Sequence, residues 1–393
     1  MGKVPEYQPL QLTPNEFRNS LDRKELYSTV GPNNVILQVN YSCYLQCVMC
    51  DRHLWSSDGA PISETMTLDD LTGLFTQLSG LKTKKITLVG TEPVLRPDLP
   101  EILADIHEKG MKAELYTAGI VLSETNIDAI LRESVDTAFS IDGFYPQSHN
   151  QIRLPDKSFD AFSRTVSSIH CLAERRSQIE GADKQSAIVA NFTIQKGNIS
   201  DLLTAGSVEI DALGVDNLRL SLVHGIGPYT LDQNDIVTIT NFAQKIAREP
   251  GRTVVDFSSG IEFLLNNRIT PADFDKNILI PSEMLDGKKD AKCYIHQYST
   301  MIDPQGNVRP CLYLYDDNGP LVDSDRDQFI VGNVKNNNFK DIWNNPAYQA
   351  FRKEYEHPNL KPESRCLTCE YMGDFEKFRA VKPNQTDMVN IGW

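Results

Sequence analysis

The chain has 393 residues, of which 40% are hydrophobic and 23% are charged, a balance typical of a soluble globular protein with two or three domains. Its formal net charge of −14 argues against a nucleic-acid partner, because phosphate backbones attract cationic surfaces. Since no apolar run approaches membrane-spanning length and the amino terminus lacks the apolar core of a signal peptide, we expect a cytoplasmic protein without a membrane partner.

Three closely spaced cysteines follow the first predicted strand. Residues 1–33 are predicted to form an amino-terminal extension, and the strand at 34–39 leads directly to Cys43, Cys47 and Cys50. An electron-transfer 4Fe–4S cluster uses four thiolates, so three thiolates predict a cluster with one iron open to a substrate or cofactor. Two alternatives stay open from the triplet alone. The thiols could lie on one helix face as small buried hydrophobes, or form a disulfide.

Strands and helices then alternate along the chain. Five further strands, each with its following turn, are predicted at 86–93, 112–119, 136–143, 191–198 and 217–224. Helices between them are predicted to begin at Thr67 and to span 99–109, 123–133 and 159–179. This alternation, with a period of about thirty residues, favours a parallel α/β sheet with right-handed crossovers. Six units fit between residues 34 and 230, which is fewer than the eight of a closed barrel.

A second set of cysteines lies near the carboxyl terminus, beyond a predicted bridging segment at 231–290. The predicted domain at 291–393 begins with a hairpin at 299–311 and contains helices near 339 and 346–355. Its thiols are Cys293, Cys311, Cys366 and Cys369. Four thiols are enough to close one metal site, either an iron–sulfur cluster or structural zinc. Disulfides are disfavoured because nothing indicates an oxidising compartment.

Taken in order, these motifs resemble those of the radical S-adenosylmethionine (SAM) superfamily. The resemblance rests on the Cys-x3-Cys-x2-Cys triplet, on Gly-Thr-Glu-Pro at 90–93, on Ser-Ile-Asp-Gly at 140–143 and on His-Asn-Gln-Ile-Arg at 149–153. It implies a partial (β/α)6 TIM-like barrel with the cluster loop at the carboxyl end of the first strand. In this family the open iron chelates SAM, and an electron from the cluster cleaves it to a 5′-deoxyadenosyl radical that abstracts a substrate hydrogen.

The resemblance also implies which residues hold the cofactors. Glu92 would hold the methionine amino group, Ser140 would contact the carboxylate or ribose, and Arg153 would pair with the carboxylate through its planar guanidinium. Thr91 replaces the family's second glycine, and we expect its side chain to tighten the turn. The triplet cysteines would ligate the SAM-binding cluster, and the other expected cofactor-binding residues are Met49, Gly90, Pro93, Thr117, Asp142, Asn191 and Val223.

The carboxyl-terminal set resembles the SPASM auxiliary-cluster domain in its shortened, one-cluster form, called twitch. The shared phrases are Asp-Pro-Gln-Gly-Asn-Val-x-Pro-Cys, which ends at Cys311, Gly-Asn-Val at 332–334 and Asp-Ile-Trp at 341–343. The resemblance implies a small α+β domain with one auxiliary 4Fe–4S cluster ligated by Cys293, Cys311, Cys366 and Cys369.

Two cluster systems in one chain suggest a redox balance, in which a substrate radical passes an electron to the auxiliary cluster. We therefore expect a radical SAM oxidoreductase that dehydrogenates a small polar metabolite such as a sugar or aminocyclitol, with a flavodoxin- or ferredoxin-type electron donor. Epimerisation would need a hydrogen-atom donor. Cys171, the one cysteine outside both sets, lies on a predicted helix and is a poor candidate.

Two other hypotheses concern the substrate and the class of protein. Modification of a ribosomally made peptide is the alternative, although residues 1–33 are too few for a leader-recognition domain. A non-catalytic metal-binding scaffold is the third hypothesis.

Overall fold

A ten-stranded open sheet organises the molecule. The structure is a computed structural model, and it describes residues 31–50, 65–153, 160–179, 186–205, 207–223, 231, 234–235, 238–239, 241–242, 254–257, 299–311 and 329–355. Seven strands pair in parallel in chain order: β1 (Asn34–Gln38), β2 (Lys85–Val89), β3 (Lys112–Thr117), β4 (Asp136–Ser140), β5 (Ile188–Ile194), β6 (Asn217–Leu222) and β7 (Val254–Phe257). The predicted partial barrel is thus confirmed, with β7 added from the bridging segment.

Helices connect the parallel strands, and two of them begin at the capping side chains that the sequence predicts. The described helices are α1 (Leu68–Gly80), α2 (Leu99–Glu108), α3 (Glu124–Arg132), α4 (Pro146–Arg153), α5 (Ala161–Ser177), α6 (Ile199–Thr204), α7 (Ser207–Ala212), α8 (Phe339–Trp343) and α9 (Pro346–Tyr355). Thr67 caps α1 by accepting a hydrogen bond from Asp70 N, and Ser123 caps α3 in the same way. Among the described residues, no helix has the length and apolarity needed to cross a membrane.

The two faces of the sheet differ in polarity. Side chains alternate along a strand, so every second residue of the central strands points to the helices. Val35 and Leu37 of β1, with Ile86 and Leu88 of β2, are fully buried in the core between sheet and helices. Most of the intervening positions of these two strands carry polar side chains, namely Asn34, Gln38, Lys85 and Thr87, and they form the inner face of the partial barrel.

The predicted carboxyl-terminal hairpin is confirmed, and it extends the same sheet. β8 (Ser299–Ile302) pairs in parallel with β1, β9 (Asn307–Arg309) pairs antiparallel with β8, and β10 (Gly332–Asn333) pairs antiparallel with β9. The buried Asp303 closes the hairpin turn by accepting hydrogen bonds from Asn307 N at 2.9 Å and Arg309 Nη1 at 2.8 Å. The segment predicted as a separate domain therefore shares its backbone hydrogen bonding with the barrel.

Candidate cofactor and cluster site

The three triplet cysteines lie in one loop at the carboxyl end of β1. Residues 41–50 contain turns and bends and no helix, so the helix-face alternative is wrong. Cys47 is buried, Cys43 and Cys50 are half-buried, and none of these three described cysteines forms a disulfide, so the disulfide alternative is also wrong. The three side chains pack in one small apolar cluster with Leu45, Ala118, Ile120 and Ala161. The three thiols of the sequence motif therefore lie together in one partly buried cluster.

The end of α4 holds this loop. Val48 N donates to the Ile152 carbonyl oxygen at 2.8 Å, and Gln46 N donates to the Arg153 carbonyl oxygen at 3.3 Å. The Arg153 side chain also points to the loop, with Nη1 3.7 Å from the Cys47 sulfur. Arg153, which the resemblance assigns to the SAM carboxylate, therefore contacts a cysteine of the triplet.

Asp142 fixes Arg153 from the other side. This carboxylate is 0% exposed, and its Oδ2 lies 2.5 Å from Arg153 Nη2 while its Oδ1 accepts a hydrogen bond from Thr193 N at 2.8 Å. The Asp142 N–H lies 3.2 Å from Nδ1 of the buried His149. Burial, together with the nearby Arg153 charge, lowers the pKa of His149 to about 3, so its imidazole is neutral and Nδ1 accepts this hydrogen bond.

The turn after β2 presents a buried carboxylate. Glu92 is 1% exposed, and it accepts hydrogen bonds from Thr117 Oγ1 at 2.6 Å and Ala118 N at 2.8 Å. Burial raises the pKa of Glu92, and these two donors oppose the rise. At Gly90, where φ is +156°, a Cβ would lie 3.3 Å from the Asn40 carbonyl oxygen, so the close approach of two backbones requires glycine.

Thr91, the departure from the family pattern, links this turn to the cluster loop. Its Oγ1 lies 2.6 Å from the Ser42 carbonyl oxygen and 3.1 Å from Asn40 Oδ1. Asn40 Nδ2 in turn donates to the Glu92 carbonyl oxygen at 2.8 Å. Pro93 opens the short 3-10 turn that follows. The expected tightening of the turn is thus visible as hydrogen bonds between two loops.

The remaining expected residues lie at or near the carboxyl ends of neighbouring strands. Ser140 ends β4 and is in register with Asn191 of β5, and both are half-buried. Val223 follows β6, and its N–H donates to the Ile194 carbonyl oxygen at 2.9 Å. Gln195 Nε2, which sequence reasoning missed, donates to the Met49 sulfur at 3.7 Å. Because the strands are parallel, these groups lie together along the end of the sheet that is formed by the carboxyl ends of the strands.

The second cysteine set is described only in part. Cys311 is half-buried and lies two residues beyond Arg309, the last residue of β9. Cys293, Cys366 and Cys369 lie outside the described residues, so their predicted ligation stays a prediction.

A charged network on the inner face was also missed. Lys85 Nζ lies 2.8 Å from Glu114 Oε2, and Thr87 Oγ1 donates to the same oxygen at 3.2 Å. Arg219 reaches across from β6 to hydrogen-bond the Tyr116 hydroxyl, and its Nη1 is 3.8 Å from Glu114 Oε1. Burial would raise the pKa of Glu114, but the two cations outweigh it and lower the pKa. Charged residues at alternate positions of the predicted strands were the sequence feature that could have indicated this network.

The residues present fit an iron–sulfur cluster. Among the described residues, no group of three or more His, Cys, Asp or Glu side chains could hold one ion. Each thiolate of a 4Fe–4S cluster ligates a different iron, so its cysteines need not converge on one point. Three cysteines without a disulfide, in one loop beside a permanent cation, suit such a cluster, whose thiolate ligands make it anionic.

The chain is similar to several known proteins. The model of the SPASM iron–sulfur cluster-binding domain matches residues 293–370. The AdoMet-dependent heme synthase of Methanosarcina barkeri is 24% identical over 87% of this chain and 90% of its own length. The PqqA peptide cyclase of Rhizobium meliloti is 21% identical over 86% and 80%, respectively.

A solved structure shares the fold. Streptococcus suis SuiB bound to its precursor peptide SuiA superposes with a TM-score of 0.60 at 14% identity, covering 95% of this chain and 78% of SuiB. Together, the matches and the cysteine motifs show that the chain is a radical SAM enzyme with a carboxyl-terminal SPASM domain, whose cofactors are 4Fe–4S clusters and S-adenosylmethionine.

Proposed function

We propose that this enzyme modifies a peptide by radical chemistry, with Cys43, Cys47 and Cys50 as the ligands of its SAM-binding cluster. The relationship to the PqqA peptide cyclase, which extends over most of both chains, is the observation that carries the proposal. SuiB, with its peptide bound, adds a similar fold that accommodates a peptide. When bound, the cluster and SAM supply a 5′-deoxyadenosyl radical that abstracts a substrate hydrogen.

The chain's own residues bind and orient the cofactor. The buried Glu92 carboxylate is held in place by Thr117 and Ala118, and it suits the methionine ammonium because a desolvated carboxylate pairs strongly with a cation. The Ser140 hydroxyl and the Asn191 amide lie at paired positions of β4 and β5, where they suit the hydroxyls of a ribose. We assign Cys293, Cys311, Cys366 and Cys369 to the auxiliary cluster, which accepts the electron when the substrate is oxidised.

Oxidation of a small polar metabolite, the substrate class expected from the sequence, is the second candidate. Its structural support is the polar inner face of the sheet, where Lys85, Glu114 and Arg219 pair with one another. The heme synthase relative also bears the name of an enzyme that makes a small molecule. In either case we propose a flavodoxin- or ferredoxin-type protein as the reductant.

Iron counting and product analysis test the cluster assignment. Anaerobically reconstituted protein should hold about eight irons, two clusters' worth, and should release 5′-deoxyadenosine from SAM under reducing conditions. A Cys43→Ala, Cys47→Ala, Cys50→Ala variant should keep about four irons and release none. Cys171→Ala is the matched control and should behave as the unsubstituted protein. Formation of 5′-deoxyadenosine by the triple variant would show the assignment to be wrong.

Mass spectrometry separates the two substrate classes. The reconstituted enzyme is incubated with small precursor peptides encoded near its own gene and, separately, with sugars and aminocyclitols. Loss of two hydrogens from a peptide supports the proposal, whereas the same loss only from a metabolite selects the second candidate. A Cys366→Ala, Cys369→Ala variant should cleave SAM but stall in turnover. Zinc at the auxiliary site, by metal analysis, would remove the electron-acceptor role.

A further inference from the structure

We propose that Arg153 sets the reduction potential of the cluster held by Cys43, Cys47 and Cys50, by donating a hydrogen bond to the Cys47 thiolate. This role differs from binding the SAM carboxylate, which the sequence resemblance implies for Arg153. The inference rests on the proposed assignment of the triplet cysteines to the cluster.

The contact is buried and carries a permanent charge. Arg153 and Cys47 are each 8% exposed, and Arg153 Nη1 lies 3.7 Å from the Cys47 sulfur. Cys50 is near enough to interact with the same guanidinium electrostatically. An arginine side chain stays protonated in proteins, so this charge does not depend on pH in the physiological range.

Rigid elements hold the guanidinium in place. Asp142 Oδ2 lies 2.5 Å from Nη2, and Asp142 Oδ1 is itself fixed by Thr193 N at 2.8 Å. The backbone of α4 is tied to the cysteine loop by the hydrogen bond from Val48 N to the Ile152 carbonyl oxygen at 2.8 Å. The cation therefore cannot leave the thiol without breaking a buried ion pair.

The effect on the cluster follows from its charge. One-electron reduction adds one negative charge to a cluster whose thiolate ligands are already anionic, and hydrogen bonds to the sulfurs are among the factors that set its potential. A fixed cation stabilises the more negative state more strongly, and it does so most where water is excluded. Arg153 thus raises the potential and makes the cluster easier to reduce.

Redox titration of the full reconstituted chain, followed by electron paramagnetic resonance without SAM, tests the proposal. The triplet cluster is identified afterwards as the signal that SAM addition changes. In Arg153→Gln we expect the ratio of reduced to oxidised cluster at a fixed ambient potential to fall at least about tenfold, the effect of losing one hydrogen bond to a charged group, and the Asp142 carboxylate left without its cation acts in the same direction. Arg153→Lys keeps the charge without the planar fork and should restore part of the ratio.

Arg176→Gln is the matched control. Arg176 is also 8% exposed and is paired with Asp216 at 2.6 and 2.8 Å, but it lies on α5 and its hydrogen-bond partners are Asp216 and the Ser186 carbonyl oxygen. Its removal should cost stability without changing the potential.

Three results would overturn the inference. The first is an unchanged potential in Arg153→Gln with weaker SAM binding, which would assign Arg153 to the carboxylate instead. The second is an equal shift in the Arg176→Gln control. The third is loss of iron from both Arg153 variants while the control keeps it, which would make Arg153 a folding residue. Failure of the proposed function would look different, because the unsubstituted protein would then show no signal that responds to SAM.

Discussion

At the scale of single residues, the role of the buried Glu92 carboxylate in binding SAM can be tested by one substitution. Glu92→Gln removes the charge and places an amide NH2 group against the Thr117 or Ala118 donor. We expect SAM to bind at least about tenfold more weakly, since a hydrogen bond between charged groups is lost, while the iron content stays unchanged. Equilibrium binding to reconstituted protein measures this.

A surface substitution provides the control for Glu92. Asp128→Asn breaks the ion pair with Arg175, in which the Asp128 side chain is 52% and the Arg175 side chain 36% exposed, and it should leave SAM binding unchanged. If Glu92→Gln bound SAM as tightly as the unsubstituted protein, the assignment of Glu92 to the methionine ammonium would be wrong.

Sequence motifs located these residues but not all of their partners. Glu92 was predictable because its motif follows a strand of recognisable pattern. The contact between Arg153 and Cys47 was not, since the two residues are 106 positions apart and meet only through the pairing of α4 with the cysteine loop. An ion pair such as Asp142 with Arg153 depends on tertiary packing, which no local spacing encodes.

At the scale of elements, the β8–β9 hairpin depends on Asp303. This carboxylate is 2% exposed and accepts hydrogen bonds from the turn backbone and from Arg309. Asp303→Ala leaves the Arg309 charge buried without its carboxylate, at a cost of about 3–5 kcal/mol. Cys311 follows this hairpin, so we expect the variant to lose auxiliary-cluster iron and to keep the triplet cluster. Iron analysis and thermal unfolding measure both effects.

A graded series makes the hairpin prediction specific. Asp303→Asn keeps an acceptor for the Asn307 N–H but loses the charge pair with Arg309, so its loss of stability and iron should be smaller. Equal iron content in all three proteins would show that the hairpin does not support the auxiliary site.

The helices were predictable because their capping residues act locally, whereas the position of the hairpin was not. Thr67 and Ser123 cap α1 and α3 as their side chains indicate. The hairpin was recognised from its Asp-Pro-Gln-Gly turn, but its place beside β1 was not, because any strand with a polar and an apolar face can extend a sheet edge.

At the scale of the whole molecule, the sheet joins the two cluster regions. β8 pairs with β1 over four residue pairs, and Phe339 N of α8 donates to Gln77 Oε1 of α1 at 2.6 Å. We expect a chain that ends at residue 290 to fold poorly, because β1 becomes an edge strand and the apolar contacts of Ile302 are lost. Circular dichroism and limited proteolysis, compared with the full-length Cys311→Ala variant, measure this. A stable, SAM-binding fragment would establish two independent domains.

The hydrogen bond between Thr91 and the Ser42 carbonyl oxygen has a consequence for handling in air. It ties the turn that carries Glu92 to the loop that carries the triplet thiols. If oxygen removes the iron and this loop rearranges, we expect Glu92 to lose its position and SAM to bind more weakly. Damage and repair of the two functions should then run in parallel, so that anaerobic restoration of iron also brings back cofactor affinity.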